Sequence, residues 1–216
     1  MLLDDYILRH IDPEPEHLYR LWRATNTELL NGRMASGHLQ GRLLKMLVTM
    51  IRPRRILEVG TFSGYSALCL AEGLEACGIP LTDDEGFVCT FEIDDELEDF
   101  ARRWIDSSPV GGRVRLIIGD AIKEAPRLGL TFDMAFIDGD KRTYTEAYEA
   151  ILPLLPSGGF LLADNTLWDG HVADSAYDRD RQTLGVRRFN DHLALDQRVE
   201  KVILPLRDGL TLIRKK

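Results

Sequence analysis

The chain has 216 residues, 44% of them hydrophobic, which is enough for a sizeable core and lies within the usual span of one domain. Its 27 basic and 35 acidic side chains leave a net charge of −8, which weakens broad phosphate-backbone binding, leaves room for a local basic patch, and favours small-molecule partners. The opening "MLLDDYILRH" has no basic leader and apolar h-region, and no stretch approaches the ~20 uninterrupted apolar residues of a membrane span, so a soluble, cytoplasmic protein is expected.

From about residue 14 to 51 the apolar spacing is helical, in "EPEHLYRLWRATNTELL" and again, after a glycine break, in "GHLQGRLLKMLVTMI". Two N-terminal helices are expected. After Pro53 come the apolar runs "RILEV", "FVCTFE", "VRLII", "FDMAFI" and "GFLLAD", separated by amphipathic stretches such as "DDELEDFARRWIDSS" and "YTEAYEAILPLL". Strand and helix alternate, which implies parallel strands with right-handed crossovers and helices on both faces of an open sheet. "RVEKVILPL" and "LTLIRK" around "RDG" look like a closing hairpin. Cys69, Cys77 and Cys89 are odd in number and lack C-x-x-C spacing, so reduced thiols are expected rather than disulfides or a zinc site.

In open α/β sheets ligands bind beyond the carboxyl ends of the strands. In "EVGTFSGYS" Gly60 and Gly64 are spaced G-x-x-x-G, not G-x-G-x-x-G; they permit a sharp turn with close backbone approach, or simply a tight strand-to-helix turn. Glu58, just before that turn, would repel a pyrophosphate and suits a ligand with a cationic part. Glu92, at the end of "TFE", can accept both hydroxyls of a ribose; the alternative, a helix N-terminal charge, is a role that Asp94 and Asp95 already fill. A nucleoside with a cation and no pyrophosphate points to S-adenosylmethionine; a nicotinamide dehydrogenase is disfavoured.

"ILEVGTFSGYSAL", "FEIDDE", "IIGDA", "FDMAFIDGDKRTY" and "LLPSGGFLLADNTLWDG", in that order, resemble the cation-dependent O-methyltransferases, the family of catechol and caffeoyl-coenzyme A methyltransferases and their bacterial relatives. The resemblance runs from about Met34 to the closing "RDGLTLIRK". It implies a Rossmann-like methyltransferase fold, a mostly parallel seven-stranded α/β sheet with a C-terminal hairpin. It also implies a single domain over 1–216, with helices over 1–52 capping the cofactor and the core over 53–216, and a homodimer. Ser36, Glu58, Gly60, Thr61, Ser66, Glu92, Ala121 and Asp140 match the family's cofactor-contacting positions, Asp138, Asp164 and Asn165 its metal ligands, and Lys141 its catalytic lysine.

The chemistry agrees with the resemblance. Two carboxylates and an amide oxygen at consecutive strand ends suit Mg²⁺ first, or Mn²⁺ or Ca²⁺, and their plain reading as caps or turn residues does not explain all three. A divalent ion lowers the pKa of a hydroxyl bound to it, so a small acceptor with vicinal hydroxyls, such as a catechol, is expected. Lys141 would take the phenolic proton or stabilise the oxyanion; a solvated lysine is the bland alternative.

Trp168 reads either as a wall for an aromatic acceptor or as packing for its loop, and His171 as a surface residue. Gly139 stands where relatives often have Ala, and Asp169 where plant relatives have a substrate-contacting Asn. Residues 75–86 read as a surface insertion. The loop "DGHVADSAYDRDRQT" offers little apolar grip for a coenzyme A thioester. A patch of Arg179, Arg181, Arg187 and Arg188 keeps open a second reading, methylation of a hydroxylated uridine in transfer RNA. A non-catalytic cofactor-binding protein is the third.

Overall fold

A computed structural model describes residues 3–216. In chain order the elements are α1 (Leu3–His10), α2 (Glu16–Glu28), α3 (Gly37–Ile51), β1 (Arg55–Val59), α4 (Tyr65–Ala76), β2 (Phe87–Glu92), α5 (Glu98–Asp106) and β3 (Val114–Ile118). There follow α6 (Ala121–Glu124), β4 (Met134–Ile137), α7 (Tyr144–Ile151), β5 (Phe160–Asp164), α8 (Arg181–Leu195), β6 (Val199–Leu204) and β7 (Leu210–Lys215). The strands form one seven-stranded sheet in the order β3-β2-β1-β4-β5-β7-β6. The expected mostly parallel α/β sheet with a closing hairpin is what the chain forms.

The described chain divides into two compact units that interleave along the sequence. The first comprises the residues up to Arg54 and Thr61–Ile118. Its α2 buries Leu18, Leu21 and Thr25, and its α3 buries Gln40, Leu44 and Val48, each set repeating at helical spacing. Arg52 adopts a left-handed conformation that stops α3, and Pro53 cannot continue it. The amphipathic α5 packs Ala101 and Ile105 on Leu116 of β3. β2 is buried along its whole length, as a parallel strand covered on both faces must be, and pairs with β3.

Residues 77–86 follow α4 and are largely exposed, and side chains staple them down. Arg115 donates to the carbonyls of Thr82 and Asp83, at 3.2 and 2.9 Å, and Arg113 to that of Gly86 at 2.9 Å. The thiols of Cys69 and Cys89 are buried, and burial pushes that of Cys89 up to about 12.

The second unit comprises Arg55–Gly60 and Gly119–Lys216. β1, β4 and β5 run parallel, and β7 pairs antiparallel with both β5 and β6. α8, which the spacing did not suggest, is capped by Asp180, whose side chain accepts from the Thr183 amide at 2.7 Å. It buries Val186, Phe189 and Leu193. Phe189 meets Tyr144 and Tyr148 edge to face, with ring centroids 5.6 and 5.9 Å apart, so Phe189→Ala would cost about 3–5 kcal/mol. α1 is likewise an element the sequence reading did not include. No helix among the described residues is long and apolar enough to cross a membrane.

Candidate functional site

Chain order reverses across the neighbouring strands β1 and β4, the position where open sheets take ligands. Gly60 follows β1 with φ +94°, and a Cβ there would lie 2.4 Å from the carbonyl oxygen of Asp138. Only glycine permits both that conformation and that approach. The Asp138 amide donates to the Val59 carbonyl at 2.9 Å, fixing the two strand ends together.

Ile137 of β4 pairs with Ala163 of β5, so Asp138 and Asp164 follow at the same level on strands roughly 4.8 Å apart. Asp164 is 3% exposed. The Tyr144 hydroxyl reaches the carbonyls of both ends, lying 3.0 Å from that of Asp164 and 3.3 Å from that of Ile137. Burial pushes the Tyr144 phenol well above its ordinary pKa, so it stays a donor.

Lys141 is 7% exposed. Its ammonium donates to Asp138 Oδ1 at 2.8 Å and to the Gly139 carbonyl at 3.2 Å. It lies 4.9 Å from the ring centre of Tyr144 and 5.8 Å from that of Trp168. Burial opposes its charge, but Asp138 and Tyr144 together more than offset this, and its pKa ends well above the ordinary lysine value. Trp168 thus stands beside the lysine, not out on its loop.

Asn165 follows Asp164 in a left-handed conformation, φ 54°. Its Nδ2 lies 2.8 Å from each carboxylate oxygen of Asp208, in the turn between β6 and β7. A carboxylate only accepts, so the amide nitrogen must face it and Oδ1 is left to accept elsewhere. The adjacent strand ends thus carry two carboxylates and an amide side chain, with an ammonium seated on one carboxylate, and hard oxygen donors are what Mg²⁺, Mn²⁺ or Ca²⁺ require. Tyr144 and Asp208 are the residues that sequence reasoning missed. Asp208 carried a signal only as an acid inside a hairpin turn.

The other expected site residues divide between the units. In the second, Glu58 is fully buried on β1 opposite Phe136, and Ala121 opens α6, which Asp120 caps by accepting from Ile122. Asp140 caps the turn over Lys141–Thr143, and its carboxylate is gripped by Arg142, whose hydrogen bonds hold it below the usual carboxylate range. In the first unit, Ser36 at the start of α3 and Ser66 in α4 are buried, and Thr61 Oγ1 lies 2.6 Å from Thr90 Oγ1. Both Glu92 oxygens accept backbone amides, from Phe62 at 2.7 Å and Asp94 at 3.0 Å, so this acid shapes the chain around it as well as offering lone pairs.

The loop from Trp168 to Asp178 is organised by Arg187 of α8. Its guanidinium donates to the carbonyls of Val172, His171 and Asp174 at 2.9, 3.0 and 2.7 Å, and pairs with Asp178 at 2.6 Å. His171 is half-buried and stacked on Tyr177, with ring centroids 3.6 Å apart. Arg188 pairs with Glu146. Of the four arginines considered for a nucleic-acid patch, two are therefore committed to internal contacts.

The family model described as O-methyltransferase matches residues 9–216. The chain is similar to caffeoyl-CoA O-methyltransferase of Stellaria longipes, 31% identical, with 94% of this chain and 84% of that one covered. It is also similar to tricin synthase 2 of Oryza sativa subsp. japonica, 34% identical, covering 99% and 74%. Among solved structures it is similar to the SAH-bound methyltransferase PaMTH1 of Podospora anserina, with TM-score 0.88 and 28% identity, covering 99% and 94%. The O-methyltransferase of Bacillus cereus in complex with SAH gives TM-score 0.86 and 27% identity, covering 99% and 97%.

Proposed function

This chain belongs to the O-methyltransferase family, and on that footing we propose that it moves the methyl group of S-adenosylmethionine to a hydroxyl of a small acceptor bearing two neighbouring hydroxyls. Asp138, Asp164 and Asn165 would hold a divalent cation, Mg²⁺ first among the candidates. The observation that supports this reading is that Asp138 and the pair Asp164–Asn165 stand at the adjacent ends of β4 and β5, with Lys141 seated on Asp138, next to the strand-order reversal.

In the reaction the sulfonium S–CH₃ bond breaks, an O–CH₃ bond forms, the sulfonium becomes a thioether, and the acceptor hydroxyl gives up its proton to water. When bound, the cation would acidify that hydroxyl and orient the diol by chelation. Lys141, kept charged by Asp138, places positive charge beside the oxygen on which negative charge develops. The same amine can serve as base only once the Asp138 charge is neutralised. Trp168 gives the acceptor an aromatic wall, and the loop drawn in by Arg187 closes over it.

Glu58 suits the charged methionine portion of the cofactor and Glu92 its ribose, with Gly60, Thr61, Ser66, Ser36, Ala121 and Asp140 completing the contacts. The structural relatives named with SAH support S-adenosylmethionine as the cofactor. Exposed Tyr19 and Trp22 of α2, with Met46 and Met50 of α3, offer apolar surface for the homodimer we assign to this chain, which sedimentation would test.

Methyl transfer from labelled S-adenosylmethionine to a panel of catechols, run in Mg²⁺ and again in EDTA, tests the function. Turnover that EDTA removes is the expected result. Turnover that persists unchanged in EDTA would overturn the cation's role, and turnover on no vicinal diol would overturn the acceptor class.

A further inference from the structure

We propose that Asp208 is a positioning residue for the cation site: it fixes which end of the Asn165 amide faces the metal. This rests on the reading of Asn165 as a ligand. An asparagine ligates through Oδ1, and its amide can flip with little change in shape. A flipped Asn165 would present Nδ2, which binds no cation and repels one. Asp208 removes that degeneracy because both its oxygens accept from Nδ2, each at 2.8 Å, and neither could face Oδ1 without leaving two acceptors opposed.

The turn that carries Asp208 is itself locked onto the ligand loop. The Asp208 carbonyl accepts the amides of Leu167 at 2.8 Å and Trp168 at 2.9 Å, and the Gly209 carbonyl accepts that of Thr166 at 3.0 Å. Thr211 Oγ1 donates to Thr166 Oγ1 at 2.7 Å with both residues fully buried. Gly209 has φ +98°, and a Cβ there would lie 2.5 Å from the Leu167 amide, so the hairpin turn and the loop are fitted to each other at the backbone. These main-chain contacts survive any substitution of the Asp208 side chain, which separates orientation of Asn165 from support of the loop.

Asp208→Asn keeps the size of the side chain and the turn but supplies a donor as well as an acceptor, so both orientations of Asn165 become acceptable. Asp208→Ala removes the constraint. The experiment titrates Mn²⁺ into the wild type and both variants, reading unbound Mn²⁺ by its electron paramagnetic resonance signal, with thermal melting of the metal-free proteins alongside. The expected result is Mn²⁺ affinity lower by about 10- to 100-fold in Asp208→Ala, a smaller loss in Asp208→Asn, and a melting temperature for Asp208→Asn close to wild type. In turnover, the metal concentration for half-maximal rate should rise while the rate at saturating metal is largely retained. Wild-type affinity in Asp208→Asn and Asp208→Ala would overturn the positioning role and leave the cation site standing. A wild-type protein that binds no Mn²⁺ would overturn the cation site, and this role with it.

Discussion

The Tyr144 hydroxyl donates to the carbonyl of Asp164 across two strands, at 3.0 Å, while also lying 3.3 Å from that of Ile137. One side chain from α7 thus closes the backbone of the two strand ends that carry the candidate acids. Tyr144→Phe removes this buried donor and should cost about 1–3 kcal/mol. Urea unfolding should show a lower midpoint with an unchanged slope.

Gly60→Ala should cost more. The left-handed conformation alone penalises a Cβ by about 1–2 kcal/mol, and the new atom would lie 2.4 Å from the Asp138 oxygen. The strand end has to move, so both melting temperature and methyl transfer should fall together. A variant with wild-type melting and turnover would show that β1 can shift away from Asp138 without consequence.

Lys141→Met keeps most of the side-chain volume but removes the charge beside Asp138. Turnover should drop by about 10²–10⁴-fold, with binding of S-adenosylmethionine, measured calorimetrically, unchanged. Lys141→Arg should not restore the rate, since a planar fork cannot occupy the place of a compact ammonium that is 7% exposed.

Arg187→Met removes the donor shared by the carbonyls of His171, Val172 and Asp174. Protease nicking should appear within residues 168–178, and the acceptor KM should rise roughly tenfold, a 1.4 kcal/mol loss of positioning, with cofactor affinity retained. Unchanged nicking would mean that the loop holds its shape without Arg187.

His17 sets an acid limit on stability. Burial lowers its pKa below the ordinary 6.5, Glu72 at 3.2 Å opposes that, and Arg42 adds to it. The unfolded chain therefore takes up a proton near pH 6.5 that the folded chain resists until lower pH. Stability should be full above pH 6.5 and decline as the pH falls from there to the folded pKa. Urea midpoints between pH 7.5 and 5 should show this slope, and His17→Gln should flatten it.

The strands were legible because β-branched and aromatic residues cluster in short runs bounded by glycine, proline and acids, and because buried parallel strands such as Phe87–Glu92 are apolar throughout. The turn residues Gly60 and Asp138 were legible as chemistry at strand ends. What α8 lacked was an unbroken stripe: Gly185 and the pair Arg187–Arg188 interrupt it, yet Arg187 turns back onto the loop while Gly185 sits against the Lys141 backbone. Asp208 was hidden because an acid in a hairpin turn already has a local explanation. The partners of Glu92 and Asp140 were hidden for a different reason, since spacing alone does not say which backbone amides or arginines an acid will find.

β1 belongs with strands made much later in the chain. Arg55 and Asp133, which share a hydrogen bond at 3.1 Å, are separated by 78 residues. At the pace of synthesis, about 5–20 residues per second, β1 leaves the ribosome roughly 4–15 s before the strand that will cover its β4 edge. During that interval "RILEV" is an apolar strand with an open side, the kind of segment that chaperones hold and that joins to a second chain when they do not. Glu58, fully buried once folding is complete, is in that interval the one acidic charge on the run. The acid proposed to meet the cofactor's cation shares this run with the opposite charge of Arg55, which leaves nascent copies of the strand no net charge to hold them apart.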